Sequence, residues 1–257
     1  MQNTTYKTGV SKAKTSSVAE TLLWGENEML WGSAIKKIFV DMGGVATDDM
    51  DALTNITLSA AGSPIWRVNE LQFNAAVSTL GKRELAGATA LRFTIDFGML
   101  GFCPGGAAPP DKALSLSITT DNTGAAATFR VGYEISNAPA NRFPTLLAQD
   151  MNIGASAAPG TYVFTATGLL RGFILPRTTS ITALALFDAA GDQIWTLNST
   201  GLLLQAQDYL SGYGTTLNKL MLLPEPFMIP GGRVELTVDG SFVATDQIVP
   251  WVDQVYA

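Results

Sequence analysis

The chain carries one stretch of sequence twice, and a duplicated chain is most simply folded as two like modules in series. Residues 52–66 read ALTNITLSAAGSPIW and residues 181–195 read ITALALFDAAGDQIW. Both end in Ala-Ala-Gly-x-x-Ile-Trp, with Trp195 lying 129 positions (195 minus 66) after Trp66. Asn69 and Asn198 follow at the same separation. Other landmarks keep the order. IKKIFV at 35–40 anticipates LRGFIL at 170–175, and LRFTIDF at 91–97 anticipates LMLL at 220–223. Pro104-Gly105-Gly106 and Pro230-Gly231-Gly232 each precede an alternating run, LSLSIT at 114–119 and RVELTV at 233–238. Each half then closes on an apolar–polar stretch, 128–135 and 247–255. One Pro-Gly-Gly match would mean little, but this many landmarks in one order mark a tandem duplication.

The repeated unit reads as β structure. Leu114, Leu116 and Ile118 alternate with Ser and Thr, and Val234, Leu236 and Val238 alternate with Glu, Thr and Asp. Period two puts successive side chains on opposite sheet faces, so one face is buried and the other wet. Gly62 and Gly191 fall where a hairpin turn needs positive φ. Leu203, Ala206, Gln207 and Leu210, spaced at three and four, predict a short helix, and 71–80 matches them in character. Several short strands with turn signals and one short helix per unit fit an eight-stranded jelly roll. The expected fold is therefore all-β: two tandem eight-stranded jelly-roll sandwiches with short helices. The expected divisions are a basic N-terminal arm at 1–30, a first jelly roll at 31–136, a linker at 137–160 and a second jelly roll at 161–257. The linker is placed by Pro139, Pro144 and Pro159 among Ala, Ser and Gly, with a helical turn expected at Thr145–Met151.

Composition excludes more than it suggests. There is no histidine among the 257 residues, which removes Ser-His-Asp and Cys-His catalysis and imidazole zinc sites. Cys103 is the single cysteine, so neither an intrachain disulfide nor a cysteine-rich metal site exists, and a reducing place of synthesis is expected. No phosphate-cradling GxxxxGK[ST] motif is present. No enzyme and no resident cofactor are expected. Sixteen basic against 22 acidic residues give a net charge of −6, which argues against sequence-specific nucleic-acid binding by the chain as a whole. No apolar run reaches the roughly 18 residues of a membrane span, and the N-terminus lacks the apolar stretch of a secretory signal.

Two consecutive jelly rolls following a short basic arm resemble the double jelly-roll major capsid proteins of tailless icosahedral viruses with an internal membrane. At 257 residues the chain is similar to the compact, corticovirus-like phage version. The resemblance covers roughly residues 30 to 257 and lies in architecture rather than in a signature motif. It implies a structural protein of the virion, made in the host cytoplasm. It also implies a homotrimer that forms a pseudo-hexagonal capsomer, and a shell built around an internal membrane. The implied partners are neighbouring capsomers and minor capsid, vertex or membrane proteins. A duplicated barrel gives a trimer six similar modules for a near-hexagonal lattice. The charged fraction of 15% suits lateral surfaces that must be desolvated. The competing expectation is a tandem lectin-like or receptor-binding sandwich of a virus particle, with Trp66 and Trp195 as twin exposed platforms. Twin core residues are the simpler use of two tryptophans that each follow an isoleucine at a strand end.

Two clusters remain as candidate sites. Lys7, Lys12 and Lys14 stand with no acid before Glu20. Such a segment is expected to be mobile until it meets a neighbouring capsomer or anionic lipid headgroups. Asp48, Asp49 and Asp51 offer hard oxygen ligands that could hold Ca²⁺. They lack the glycine and bidentate glutamate of an EF-hand loop, and a solvated acidic turn is the simpler reading. The apolar stretch from Val18 to Trp31 is expected to pack as an amphipathic turn under the first barrel.

Overall fold

The computed structural model describes residues 4–15, 18–30, 32–43, 53–69, 72–73, 90–98, 106–121, 127–136, 142–150, 159–175, 181–198, 200–201, 219–239 and 246–255. The chain divides into two units: Met1–Pro144 with Gln254–Ala257, and Thr145–Asp253.

The first unit is built from β1 (Thr4–Lys14), β2 (Thr21–Trp24), β3 (Ala34–Gly43), β4 (Leu53–Ala60), β5 (Ser63–Val68), β6 (Ala90–Asp96), β7 (Leu114–Thr120) and β8 (Ala127–Ser136). One sheet has the order β1-β8-β3-β6 and the other β2-β7-β4-β5. Eight strands in these two interleaved sheets make a jelly roll. Alternation decides which face is buried. In β7 every second residue from Leu114 to Thr120 is buried, and β4 turns Ile56, Leu58 and Ala60 inward in the same rhythm. The β4–β5 hairpin closes through Ala61 (φ 48°) and Gly62 (φ 76°). This two-residue turn with both φ positive matches the twist of the strands it joins. Trp66, 2% exposed, anchors the interior. Its ring lies 6.5 Å from Phe73 and 6.4 Å from Phe97, and Phe93 meets Phe73 edge-on at 5.4 Å.

The second barrel uses β9 (Arg142–Leu147), β10 (Gln149–Asp150), β11 (Gly160–Leu175), β12 (Ile181–Phe187), β13 (Gln193–Asn198), β14 (Lys219–Val238) and β15 (Gln247–Val255), with Arg142–Pro144 and the last two residues of β15 counted in the first unit. Two of these are double-length. The first part of β11 pairs with the last part of β14 (Gly160↔Val238 to Ala166↔Gly232), and β12 and β13 extend that sheet. The last part of β11 pairs with the start of β14 (Gly172↔Leu222 to Leu175↔Lys219) and with β15, beside which β9 lies. Counting each long strand as two, the order is 1-8-3-6 and 2-7-4-5, that of the first unit. Gly168, at φ 125°, sits at the register shift where β11 passes from one sheet to the other. A side chain there would be strained. The core gathers Phe164, Leu170, Phe173, Leu184, Leu186, Val234, Leu236 and Ile248, with Trp195 and Phe227 packed half-buried against it.

The fold class is as expected, and the repeats at 35–40 and 170–175, at 91–97 and 220–223, and at 114–119 and 233–238 align on corresponding strands of the two units. Pro230, Gly231 and Gly232 lie within β14, while Pro104 and Gly105 lie outside the described residues. Three expectations are corrected. The arm at 1–30 is not a free arm within the described residues, because it supplies β1 and β2, the first two strands of the first barrel. β1 is exposed along most of its length and is held by backbone pairing with β8, so its sequence shows no apolar alternation. The linker at 137–160 contains β9 and β10, where a helical turn was expected at Thr145–Met151. Phe143 to Leu146 are buried at four successive positions, which hides the period of two, and Pro144 disguises the strand further. Within the stretch from Val18 to Trp31, Thr21–Trp24 form β2, with Leu22 and Trp24 buried and Leu23 outward, and Trp31 lies outside the described residues. Of the helix expected at 71–80, Gln72 and Phe73 are helical and the rest lies outside the described residues, as does 202–210.

Arg171 Nε donates to Asp253 Oδ2 at 2.8 Å from the third to the eighth strand of the second barrel. The Asp253 side chain is fully buried. Removing one partner of a buried pair strands the other charge. We expect Arg171→Met to cost about 3–5 kcal/mol in denaturant unfolding, and the double replacement with Asp253→Leu to recover most of that loss. The twin tryptophans should also differ: Trp66→Ala should cost about 3–5 kcal/mol, and Trp195→Ala clearly less.

Candidate assembly surface

Among the described residues no group of three His, Cys, Asp or Glu side chains could hold a metal ion. No helix of the described residues is long and apolar enough to cross a membrane. Asp48, Asp49 and Asp51 lie outside the described residues. The remaining features that could carry a function are sheet edges and the side chains along them.

The three lysines do not form one patch. Lys7 is exposed on β1, opposite Tyr133 of β8. Lys12 is drawn back to the body of the unit, with Nζ 2.8 Å from Glu28 Oε1 and 6.0 Å from the centroid of the Trp24 ring. Lys14 is 4% exposed. β1 is further tied down by Trp24 Nε1, which donates to the Val10 carbonyl at 2.9 Å. The Thr15 amide donates to Glu20 Oε1 at 3.1 Å. Lys7 is thus the one of the three that is exposed.

Glu28 fixes the end of this tether. Its carboxylate accepts from Lys12 Nζ and, through Oε2, from the Gly25 amide at 3.0 Å. These bonds, the Lys12 one foremost, hold its pKa below the ordinary 4.5. Tyr133 is pushed the other way by burial, while its hydroxyl accepts from the Leu30 amide and donates to Met29 Sδ, each at 3.3 Å.

The edges of the two barrels are alike in two places and unlike in two. In both, the outer edges of the second and sixth strands have no strand beside them among the described residues: β2 and β6 in the first barrel, and the corresponding parts of β11 and β14 in the second. The fifth strands differ. The outer edge of β5 is hydrogen-bonded to β9, whose first half, Arg142–Pro144, belongs to the first unit. Trp66 Nε1 donates to the Pro144 carbonyl at 3.0 Å, and the Ala107 amide donates to the Arg142 carbonyl at 3.1 Å. Ile65 and Trp66 are both buried as a result. β13 is the last strand of its sheet among the described residues. Ile194 is 39% exposed, and Trp195 is half-buried with its ring 6.0 Å from Phe227. The two tryptophans therefore share a sequence context but not an environment. Sequence pairing shows their equivalence and carries no sign of this difference, which depends on what lies along each edge. The first strands differ likewise. β9 is flanked on both sides, by β5 and β15, whereas β1 pairs with β8 alone and leaves Tyr6 (69% exposed) and Val10 (42%) outward.

No protein-family model matches the chain, and no curated protein is similar to it in sequence. Solved structures are similar in fold. The major capsid protein P2 of bacteriophage PM2 superposes with a TM-score of 0.69 at 10% identity, covering 99% of this chain and 98% of that one. The MCP of STIV, the Sulfolobus turreted icosahedral virus, gives 0.65 at 14% identity, covering 98% and 97%. VP54 of PBCV-1 gives 0.57 at 11% identity, covering 99% and 94%. The chain has the double jelly-roll fold, and the likeness runs through both barrels.

The lowered pKa of Glu28 means that the folded state favours its carboxylate. Its contribution is present above the ordinary value of 4.5 and is lost as pH falls through the lowered folded value. We expect wild type to exceed Glu28→Gln in urea midpoint at pH 7. The two midpoints should converge as pH falls through the lowered folded value.

Proposed function

We propose that this chain is a structural shell protein, the major capsid protein of a tailless icosahedral virus, whose activity is self-assembly. The observation that carries this reading is the end-to-end match of both barrels to capsid proteins, with neither chain leaving a domain over. The corticovirus-like version is supported by the match to P2 of phage PM2 in fold and in length. The absence of histidine and the low charge agree with a role in which no bond is made or broken.

The finer reading is a homotrimer. Three copies present six jelly rolls of one strand order, which can tile a near-hexagonal lattice while keeping threefold symmetry. Such capsomers would join their neighbours, and minor or vertex proteins, in the virion. An internal membrane belongs to this reading through the resemblance, with Lys7 as the lysine open to an anionic surface.

Light scattering on the purified chain should give three chains per particle. Negative-stain images should show a six-lobed outline. A monomer at every concentration up to tens of micromolar would overturn the shell reading. Particles from infected cells should contain this chain as their most abundant protein, and lipid released on their disruption would support the internal membrane.

A further inference from the structure

We infer that the open edge of β13 is covered by β1 of a second copy of this chain, repeating between chains the pairing that β5 makes with β9. The inference deepens the shell reading by naming a contact, and it rests on that reading for the number of copies that close.

The argument is one of matching leftovers. Each barrel has a first strand and a fifth strand at sheet edges. Within one chain, β5 (a fifth strand) is hydrogen-bonded to β9 (a first strand). That leaves β13 as the unpaired fifth strand and β1 as the unpaired first strand among the described residues. The second and sixth strands have open outer edges in both barrels, so they show no such asymmetry. A duplicated chain has thus satisfied one of two equivalent pairings internally and left the complementary halves of the other unmade.

The side chains point the same way. The Ile-Trp pair is common to β5 and β13, yet Ile65 is 6% exposed and Ile194 is 39% exposed. Trp66 Nε1 has a backbone carbonyl on β9 as its acceptor. Trp195 Nε1 has none among the described residues. What is missing around β13 is therefore an apolar side chain over Ile194 and a strand carbonyl within reach of Trp195. β1 offers both: strand carbonyls along its outer edge, apart from that of Val10, which Trp24 Nε1 already engages, and Tyr6 and Val10 side chains standing exposed. A long, open edge strand with exposed apolar side chains invites addition of another strand. The contact is head-to-tail, since β1 and β13 are different surfaces, and such contacts either close into rings or run on as filaments. Three copies closing give the trimer of the shell reading.

The test is cysteine pairing in a Cys103→Ser background. Tyr6→Cys, Thr8→Cys or Val10→Cys is combined in turn with Ile194→Cys or Thr196→Cys, and the full-length protein is oxidised mildly. The set scans the register, because a disulfide forms only with Cα atoms about 4.4–6.8 Å apart. At least one combination should give covalent dimers and closed trimers on a denaturing gel, while chains carrying one cysteine alone should not give trimers. In parallel, hydrogen exchange on the unmodified chain should show β1 and β13 amides at least tenfold slower in the oligomer than in diluted monomer. A trimer that forms no cross-link in any register, with β13 exchange unchanged, would overturn this contact and leave the shell reading standing. Thiol loss confined to single chains would overturn it too, since β13 would then be covered from within. A protein that stays monomeric would overturn both.

Discussion

The seventh strand of each barrel holds the rest in place. β7 is paired on both sides, with β2 and β4, and the last part of β14 likewise lies between β11 and β12. Leu114, Leu116 and Ile118 in one, and Val234, Leu236 and Val238 in the other, turn fully inward. A slip of one residue would send each set to the outer face. Because these strands fix the register of both neighbours, they fix which face of the whole sheet is dry. The opposing sheet must then close over it. Trp66, Phe73, Phe93 and Phe97, all buried, pack ring against ring in the first unit.

Duplication has kept this frame and let its margins diverge. Both barrels use one strand order, and the Ile-Trp hairpin occupies the same place in each. The connections differ: β2 and β3 are separate strands in the first barrel, where β11 runs unbroken through the same two positions in the second. The environments differ as well, most clearly at the paired tryptophans. Retaining an apolar residue at an exposed place is costly for solubility.

Legibility in the sequence followed burial on one face. β4, β7 and β8 bury alternate residues, as does the last part of β14, and that amphipathic rhythm makes them readable. β1 failed that test because it is wet along most of its length, and β9 because its middle four residues are dry on both faces. Neither has the period of two, so in sequence one reads as an arm and the other as a linker. The lysines were misplaced for the same reason, since Lys14 was taken to lie on a loose segment and is buried. The assembly surface was the least legible part, because which edges stay open is a property of topology. Equal sequence at Trp66 and Trp195 could not tell a filled edge from an empty one.

The unbroken run of β11 and β14 has a mechanical consequence. Across Gly168 the same two backbones serve both sheets of the second barrel, so neither sheet can separate without straining the other. The first barrel has no such shared ribbon, and its outermost strand hangs on one neighbour and a few polar tethers. Under load the chain should peel from its N-terminal strand first, while the second barrel resists as a single block. A chain made this way combines a stiff half with a releasable margin.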